Sequence, residues 1–458
     1  MTDILIQKGK TYQVTIEDIG HNGEGIGKIQ GFTVFVEGGV PGDLLEIKIS
    51  IVKKNYAVGV IKRVIQASPD RIEPSCQIAD ICGGCQIQHI DYQSQLRLKT
   101  GRVKANIERI GKLENAVVHD TIGMEIPERY RNKGQFPIGT LDGKAIIGFY
   151  KGGTHEIVDM ETCLLQHEIN DRIVNVVKKY IETFKITTYD ESTGKGLLRH
   201  ALTKIGFVTG EIMVVLITNG RELPQSQWLI TALKEEIPEI VSIVQNINTK
   251  KGNTILGQEC KTIYGKDRII DYIGDFKFHI SPLSFFQVNP TQTKVLYEKA
   301  LEYAELTGEE TVFDVYCGIG TISLFLSQKA KKVYGIEIIE AAIEDAKENA
   351  RINQVENTEF YVGAAEDVVP KLYKKGIKAD VVVVDPPRKG CDEKVLETIV
   401  NMNPKRVVYV SCNPSTLARD LKYLDERGYK TVEVQPVDMF PHTAHVEVVA
   451  QMYFNGKK

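Results

Sequence analysis

Over the first seventy residues the chain runs in short β-type stretches broken by glycine, at 12–16, 33–36, 44–49 and 57–61. Several short strands in so few residues predict a small closed or partly open barrel, and we read residues 1–74 as that unit. The period then changes. Across 91–112 Leu96, Val103, Ile107 and Ile110 can share one face of a helix. From 135 to 280 strands at 145–150, 212–218 and 241–248 are interleaved with helices at 170–184 and 225–235, so 75–280 reads as a central α+β domain. Beyond Pro290 a helix runs through Leu301, and strands at 311–315, 332–336, 359–362, 380–384 and 406–410 follow, separated by helical stretches such as 341–351 and 393–402. Right-handed crossovers turn that alternation into a parallel sheet covered on both faces, an α/β domain over 281–458. The last two strands, 430–436 and 446–454, have no helix between them and predict a closing antiparallel pair.

Composition narrows the class. A chain of 458 residues is long enough for about three domains. Its net charge of −3 makes it no polycation, so any nucleic-acid surface must be local. The first ten residues hold no apolar signal core and no apolar run approaches about 18 residues, so we expect a cytoplasmic protein without membrane spans. Two stretches gather cations. Residues 97–112 carry six basic side chains against Glu108 alone, and 128–133 place Tyr130 among Arg129, Arg131 and Lys133. The first suits phosphate contacts and the second an unpaired RNA strand. The glycine-rich segment His21 to Gly27 reads as a set of tight turns.

Eight cysteines in an intracellular chain argue for thiols, metal or catalysis, not for a disulfide framework. Cys76, Cys82 and Cys85 fall within ten residues, with two glycines before the last. Zinc and an iron–sulfur cluster both accept four thiolates, and spacing does not separate them. Cys163 is the best candidate for a distant fourth ligand, with Cys260, Cys317 and Cys391 left open by spacing.

The chemistry gathers at strand ends. The first strand of the C-terminal alternation ends in Asp314, Tyr316, Cys317, Gly318 and Gly320, where the backbone can approach a nucleoside cofactor, and Glu337 about twenty residues on suits a ribose diol. A nicotinamide or flavin enzyme would want glycine at Ser323, so the arrangement better matches S-adenosylmethionine. The fourth strand ends in Asp385, Pro386, Pro387 and Arg388; an aromatic ring in place of Arg388 would have suited amino-group methylation. The fifth ends in Ser411, Cys412, Asn413 and Pro414, which puts Cys412 on a strand-to-helix turn where a helix start favours the thiolate. Glu447 opens a strand of opposite direction and reaches the same rim. A thiol, a carboxyl group and a methyl donor on one edge answer a specific difficulty: carbon 5 of uracil is not nucleophilic until a thiolate adds to carbon 6. Cys412 is then the nucleophile, Glu447 the base, and the uridine must be splayed from its stack.

The motifs SCNP, DPPR, DxYCGxGT, SFFQVN and FPHTxHVE together resemble those of the RNA (uracil-5-)methyltransferase family, nearly end to end, and the N-terminal pattern resembles the TRAM module, an OB-type barrel. The resemblance implies a Rossmann-like class I S-adenosylmethionine-dependent methyltransferase domain behind that barrel and the central α+β domain. It implies Cys412 as nucleophile, Glu447 as base, and Gln287, Tyr316, Glu337 and Asp385 as contacts to S-adenosyl-L-methionine. It further implies a [4Fe-4S] cluster on Cys76, Cys82, Cys85 and Cys163. Because the enterobacterial tRNA branch lacks the TRAM module and the cluster, the resemblance points to uridine in 23S ribosomal RNA, acted on by a monomer. Transfer RNA is the alternative substrate. An iron–sulfur dinucleotide oxidoreductase and a non-catalytic RNA-binding protein are the readings from other classes.

Overall fold

The computed structural model describes residues 6–456, and these form one barrel and two large sheets. Strands β1 (Thr11–Ile19), β2 (Gly25–Ile29), β3 (Phe32–Val36), β4 (Leu44–Val52) and β5 (Tyr56–Gln66) close into the expected barrel, in the order β1-β2-β3-β5-β4. Val14, Ile16, Val34, Val36, Leu45, Ile47 and Ile49 fill it, one face of each strand turned inward.

A loop carrying three of the cysteines leads to helix α1 (Tyr92–Asn106), whose last turn widens into a π segment, Ile107–Gly111. That wider turn rotates Ile110 to the surface, at 42% exposure, while Val103 and Ile107 stay buried. The predicted face therefore loses its last member. Strand β6 (Val117–Val118) follows, then β7 (Lys133–Leu141), β8 (Lys144–Tyr150), β9 (Ile157–Asp159), α2 (Ile169–Phe184), β10 (Leu198–Ile205), β11 (Ile212–Thr218), α3 (Ser226–Glu236), β12 (Ile240–Ile247) and β13 (Glu259–Gly265). They build a seven-stranded sheet, β13-β12-β11-β10-β7-β8-β9, with α2 and α3 on one face. A hairpin of β14 (Ile269–Ile273) and β15 (Phe276–Ile280) bridges to the C-terminal region.

The remainder comprises α4 (Pro290–Ala304), β16 (Thr311–Val315), α5 (Thr321–Ser327), β17 (Lys332–Glu337), α6 (Glu340–Ile352), β18 (Thr358–Val362), α7 (Ala365–Lys374), β19 (Val381–Val384), α8 (Glu393–Met402), β20 (Arg406–Ser411), α9 (Pro414–Asp425), β21 (Tyr429–Val437) and β22 (Glu447–Phe454). The eight-stranded sheet has the order β18-β17-β16-β19-β20-β22-β21-β6. Its first five strands are parallel, and β22 runs against both neighbours. Val381 to Val384 are fully buried, as a strand covered on both faces requires. Chain order reverses between β16 and β19, the switch point beside which open α/β sheets bind ligands.

Two cores flank this sheet. One lies under α4, α5 and the β14–β15 hairpin and runs on to Leu202, Met213 and Val215 of the central sheet. The other lies under α7, α8 and α9 and takes in Val103 and Ile107 of α1. The basic helix is thus packed against the C-terminal sheet, with Lys99 buried. Tyr130 is buried too, its hydroxyl donating to Pro441 O at 3.1 Å, so it offers no exposed ring to a base.

Candidate active site

The first turn of the rim follows β16. Tyr316, Gly318 and Gly320 all have positive φ, at 71°, 54° and 79°. Gly320 must be glycine for a second reason: a Cβ there would stand 3.1 Å from the Ala346 methyl and 3.2 Å from the Phe360 ring. A Cβ on Gly318 would meet nothing within 4 Å, so the backbone at that residue faces open space. The Gly318 amide donates to Glu337 Oε2 at 3.3 Å and the Ile339 amide to Oε1 at 3.0 Å, which fixes the carboxylate at the end of β17. Behind the turn Asp314 is fully buried. Its Oδ2 accepts from Ser323 Oγ at 2.5 Å while its Oδ1 has no partner. Ser323, where a dinucleotide fold would have glycine, is therefore the anchor of a buried acid. An open glycine turn, an oriented carboxylate and an unpartnered buried oxygen are features that a bound nucleoside with a cationic amino acid tail would satisfy.

On the other side of the switch point the Asp385 amide donates to Val315 O at 3.2 Å, tying the turn after β19 to the first strand. Burial, then the charge of Asp314, push the Asp385 carboxyl up to about 7. Burial also lifts Asp314 to about 7, against the hydrogen bonds from Ser323. Tyr297, on the inner face of α4, hydrogen-bonds Thr321 Oγ1 at 3.0 Å, has the Gln287 side chain beside it, and feels both aspartates. Gln287 thereby lies near the rim. Sequence reasoning missed Tyr297, because an aromatic two turns into a helix reads as ordinary core.

Sheet register brings Cys412 and Glu447 to one rim. Ser411 of β20 pairs with Val448 of β22, so Cys412 and Glu447 lie at the same end of that antiparallel ladder, near enough for the Glu447 charge to act on the thiol. Asn413 caps α9, accepting from the Ser415 amide at 3.1 Å, and its own amide donates to Ser411 Oγ at 3.1 Å. This turn does not favour the thiolate as a helix start alone would. Burial first, then the charges of Glu447 and Asp385, raise the Cys412 thiol to about 11, with Arg388 acting the other way. Glu447 is buried, and burial followed by Asp385 moves its carboxyl well above the usual range. The rim therefore crowds acids with little positive charge among them. A sulfonium between Asp385 and Cys412 would relieve that crowding.

The segment from Asp438 to Val446, which delivers Glu447, is held from outside the sheet. Lys99 Nζ donates to Asp438 Oδ1 at 2.6 Å and to Phe440 O at 3.2 Å, and Tyr92 donates to Asp438 Oδ2 at 3.0 Å. The His442 backbone has φ 66°; its amide donates to Gln95 Oε1 at 3.0 Å, and its carbonyl accepts from the Gln86 and Ile87 amides, each at 3.2 Å. Arg102 Nη1 donates to Ala444 O at 2.7 Å. The cations of α1 thus serve in part as a clamp on this segment.

Gln86 directly follows the cysteine loop. Gly83 donates to Tyr150 O at 3.0 Å and Cys82 bridges to Lys151, which docks the loop beside the end of β8. Gly84 N lies 3.4 Å from Cys82 Sγ, and the Gln88 amide 4.0 Å from Cys85 Sγ. Burial raises the thiols of Cys82, Cys85 and Cys163; Cys163 and Cys82 add to the rise at Cys85, and Cys76 adds to it at all three. Amides of Gln166 and Leu165 point at Cys163. The four thiols share one neighbourhood, whereas Cys260 is exposed on β13, and Cys317 and Cys391 are buried along the methyltransferase sheet. Among the described residues no three His, Cys, Asp or Glu side chains are arranged to hold a single metal ion. Among the described residues, too, no helix is long and apolar enough to cross a membrane.

Comparison with known proteins identifies the family. A sequence model of the family described as tRNA (Uracil-5-)-methyltransferase matches residues 92–453, and one of the TRAM domain matches 6–62. An RNA methyltransferase of Clostridium tetani is 54% identical over 456 residues, covering 100% of this chain and 99% of its own. Another, from Caldanaerobacter subterraneus subsp. tengcongensis, is 53% identical over 445 residues, covering 97% and 98%. Among solved structures, the tRNA (uracil-54, C5)-methyltransferase of Pyrococcus abyssi in complex with S-adenosyl-L-homocysteine is similar with a TM-score of 0.78 at 29% identity, covering 96% of this chain and 100% of that one. The chain belongs to the tRNA (uracil-5-)-methyltransferase family, and with its N-terminal TRAM domain it is an S-adenosylmethionine-dependent RNA methyltransferase.

Proposed function

We propose that this protein methylates carbon 5 of uridine through a covalent Cys412 adduct, with 23S ribosomal RNA as the substrate. The observation that supports the mechanism is the Ser411–Val448 register, which leaves Cys412 and Glu447 at one end of the ladder with the Glu447 charge acting on the thiol. Gln287, Tyr316, Glu337 and Asp385 hold S-adenosyl-L-methionine, which supplies an electrophilic methyl group when bound. Cys412 gives up its proton to solvent water and adds through sulfur to carbon 6 of the splayed uracil, which makes carbon 5 enolate-like and able to take that methyl group. Glu447 removes the remaining hydrogen from carbon 5. The electron pair so released reforms the 5,6 double bond and expels the Cys412 thiolate. Burial, then the charge of Asp385, raise the Glu447 carboxyl well above the usual range, which makes its carboxylate a stronger base.

RNA carrying 5-fluorouridine tests this directly, because fluorine at carbon 5 cannot leave as a proton. A methylated but trapped Cys412 adduct, seen as a mass increase on the Cys412 peptide, is the expected result. Absence of the adduct on an RNA whose ordinary form is methylated removes Cys412 from the mechanism.

A [4Fe-4S] cluster on Cys76, Cys82, Cys85 and Cys163 belongs to the same reading. Its support is that the four thiols lie in mutual electrostatic reach, with the Gly84 amide 3.4 Å from Cys82 Sγ. We read the protein as cytoplasmic and monomeric. Transfer RNA is a second reading with its own support: the solved tRNA enzyme of Pyrococcus abyssi aligns with 96% of this chain, so a TRAM module alone does not select ribosomal RNA. Mass mapping of 5-methyluridine in ribosomal and transfer RNA, with and without the protein, decides between them.

A further inference from the structure

The loop between β1 and β2 has no part in methyl transfer, yet the fold carries it to the catalytic rim. Its His21 is exposed, and His21 Nδ1 accepts from Arg102 Nη2 of α1. Arg102 is fixed in turn by its bond to Ala444 O, three residues before Glu447. Arg388, in the turn after β19, is near enough for its charge to act on His21, His445, Cys412 and Glu447 alike. Its exposed guanidinium makes no hydrogen bond or ion pair among the described residues. Lys99 adds its charge at His445. Glu24, in the same loop as His21, is the acid that faces His21 and Arg102, and its carboxylate is turned to the Asn22 amide at 2.9 Å. Three separate parts of the chain therefore bring donors to one point beside the reactive thiol.

We propose that His21, Arg102 and Arg388 seat one phosphodiester of the RNA backbone, next to the nucleotide whose base enters the rim. This rests on the reading that a uridine is splayed out to reach Cys412. A nucleotide turned out of its stack leaves its flanking phosphates at the mouth of the pocket, where they need donors and positive charge. Since Arg102 can only donate, Nδ1 of His21 is the acceptor and Nε2 carries the ring hydrogen. Arg102 orients that N–H, and the neutral imidazole passes a hydrogen bond to phosphate while the two guanidinium groups supply the charge. The barrel thereby reads the position of the backbone, independently of base identity, and sets the distance from barrel-bound RNA to Cys412.

Binding of a fluorescent RNA oligonucleotide that the full-length protein methylates provides the test, measured across about 0.05–0.3 M KCl. His21→Ala weakens binding about three- to tenfold at low salt. Arg388→Gln lowers the slope of log K against log salt by about 0.7–0.9, one phosphate's worth. Glu24→Gln, which keeps the oxygen facing Asn22 and removes the negative charge, tightens binding about two- to fivefold, a direction that damage to the fold does not produce. Parent affinity in His21→Ala, or Glu24→Gln that fails to tighten, overturns the proposal. The 5-fluorouridine adduct separates the two readings. If the parent forms it and these variants bind as the parent does, the phosphate seat alone falls. If the parent forms none, Cys412 leaves the mechanism, and the seat loses the reading on which it rests.

Discussion

The turn that carries Cys412 and the segment that carries Glu447 deliver their groups to the same rim by opposite means. Residues 411–415 are held chiefly along the turn itself, where Ser411, Asn413 and Ser415 hydrogen-bond in sequence and Pro414 starts the helix, with two ties outward, from Asn413 Nδ2 to Arg388 O at 3.1 Å and from Ser415 Oγ to Asn106 Oδ1 at 2.7 Å. The Asp438 to Val446 segment has bonds of its own among Asp438, Phe440, Thr443 and His445, and is held besides by Gln86, Tyr92, Gln95, Lys99, Arg102 and Tyr130, all more than three hundred positions away. The nucleophile leans more on its own turn, and the base more on distant parts of the molecule. Damage to α1 or to the cysteine loop should therefore be felt first at Glu447.

Removing the base sharpens that contrast most. Glu447→Gln keeps the shape of the rim but cannot take the carbon 5 proton, so turnover should fall about 10²–10⁴-fold while addition survives. The readout is a protein–RNA adduct that accumulates on ordinary uridine and persists in a denaturing gel. Equal loss of adduct and turnover would mean that Glu447 acts before the covalent step.

A structural comparison comes next. Lys99→Met leaves Asp438 buried without its cation and should cost about 3–5 kcal/mol in denaturant unfolding. Asn413→Ala removes a helix cap and the bond from Asn413 Nδ2 to Arg388 O, at a cost of about 1–2 kcal/mol. In Lys99→Met, adduct should also accumulate, because the base is loosened and the nucleophile is not. If the two variants lose similar stability, the two supports do not differ as described.

The smallest effect is read in the protein alone. With the Cys412 thiol raised to about 11, its alkylation by iodoacetamide, followed on the Cys412 peptide, should speed up about tenfold per pH unit between pH 7 and 9. Arg388→Ala removes the neighbour that favours the anion and should slow alkylation at every pH in that window. A rate independent of pH would mean that the thiolate is already formed in the free protein.

Much of the fold was legible because its periods are strong. The five parallel strands, the barrel and the closing pair all follow from apolar runs and glycine breaks. The Cys412 turn was legible for the same reason, since its cap and strand adjoin in sequence. Ile110 was misjudged because a π turn shifts its direction, which no local pattern announces. Lys99 and Tyr130 were read as facing RNA because charge and aromaticity look alike on a solvated face and in a buried clamp.

The sequence by itself determined the strand ends, and through the direction of β22 it put a thiol and a carboxyl group on one edge, because alternation and turn residues act over a few positions. Only the tertiary structure decided that the Glu447 charge acts on Cys412, that Tyr297 stands beside Thr321 and near both aspartates, that Cys163 comes close to the other three cysteines, and that His21 of the barrel reaches Arg102. Those pairings join residues tens to hundreds of positions apart. Their geometry comes from sheet register and from burial of the α1 face, and neither leaves a mark on the spacing of the residues concerned.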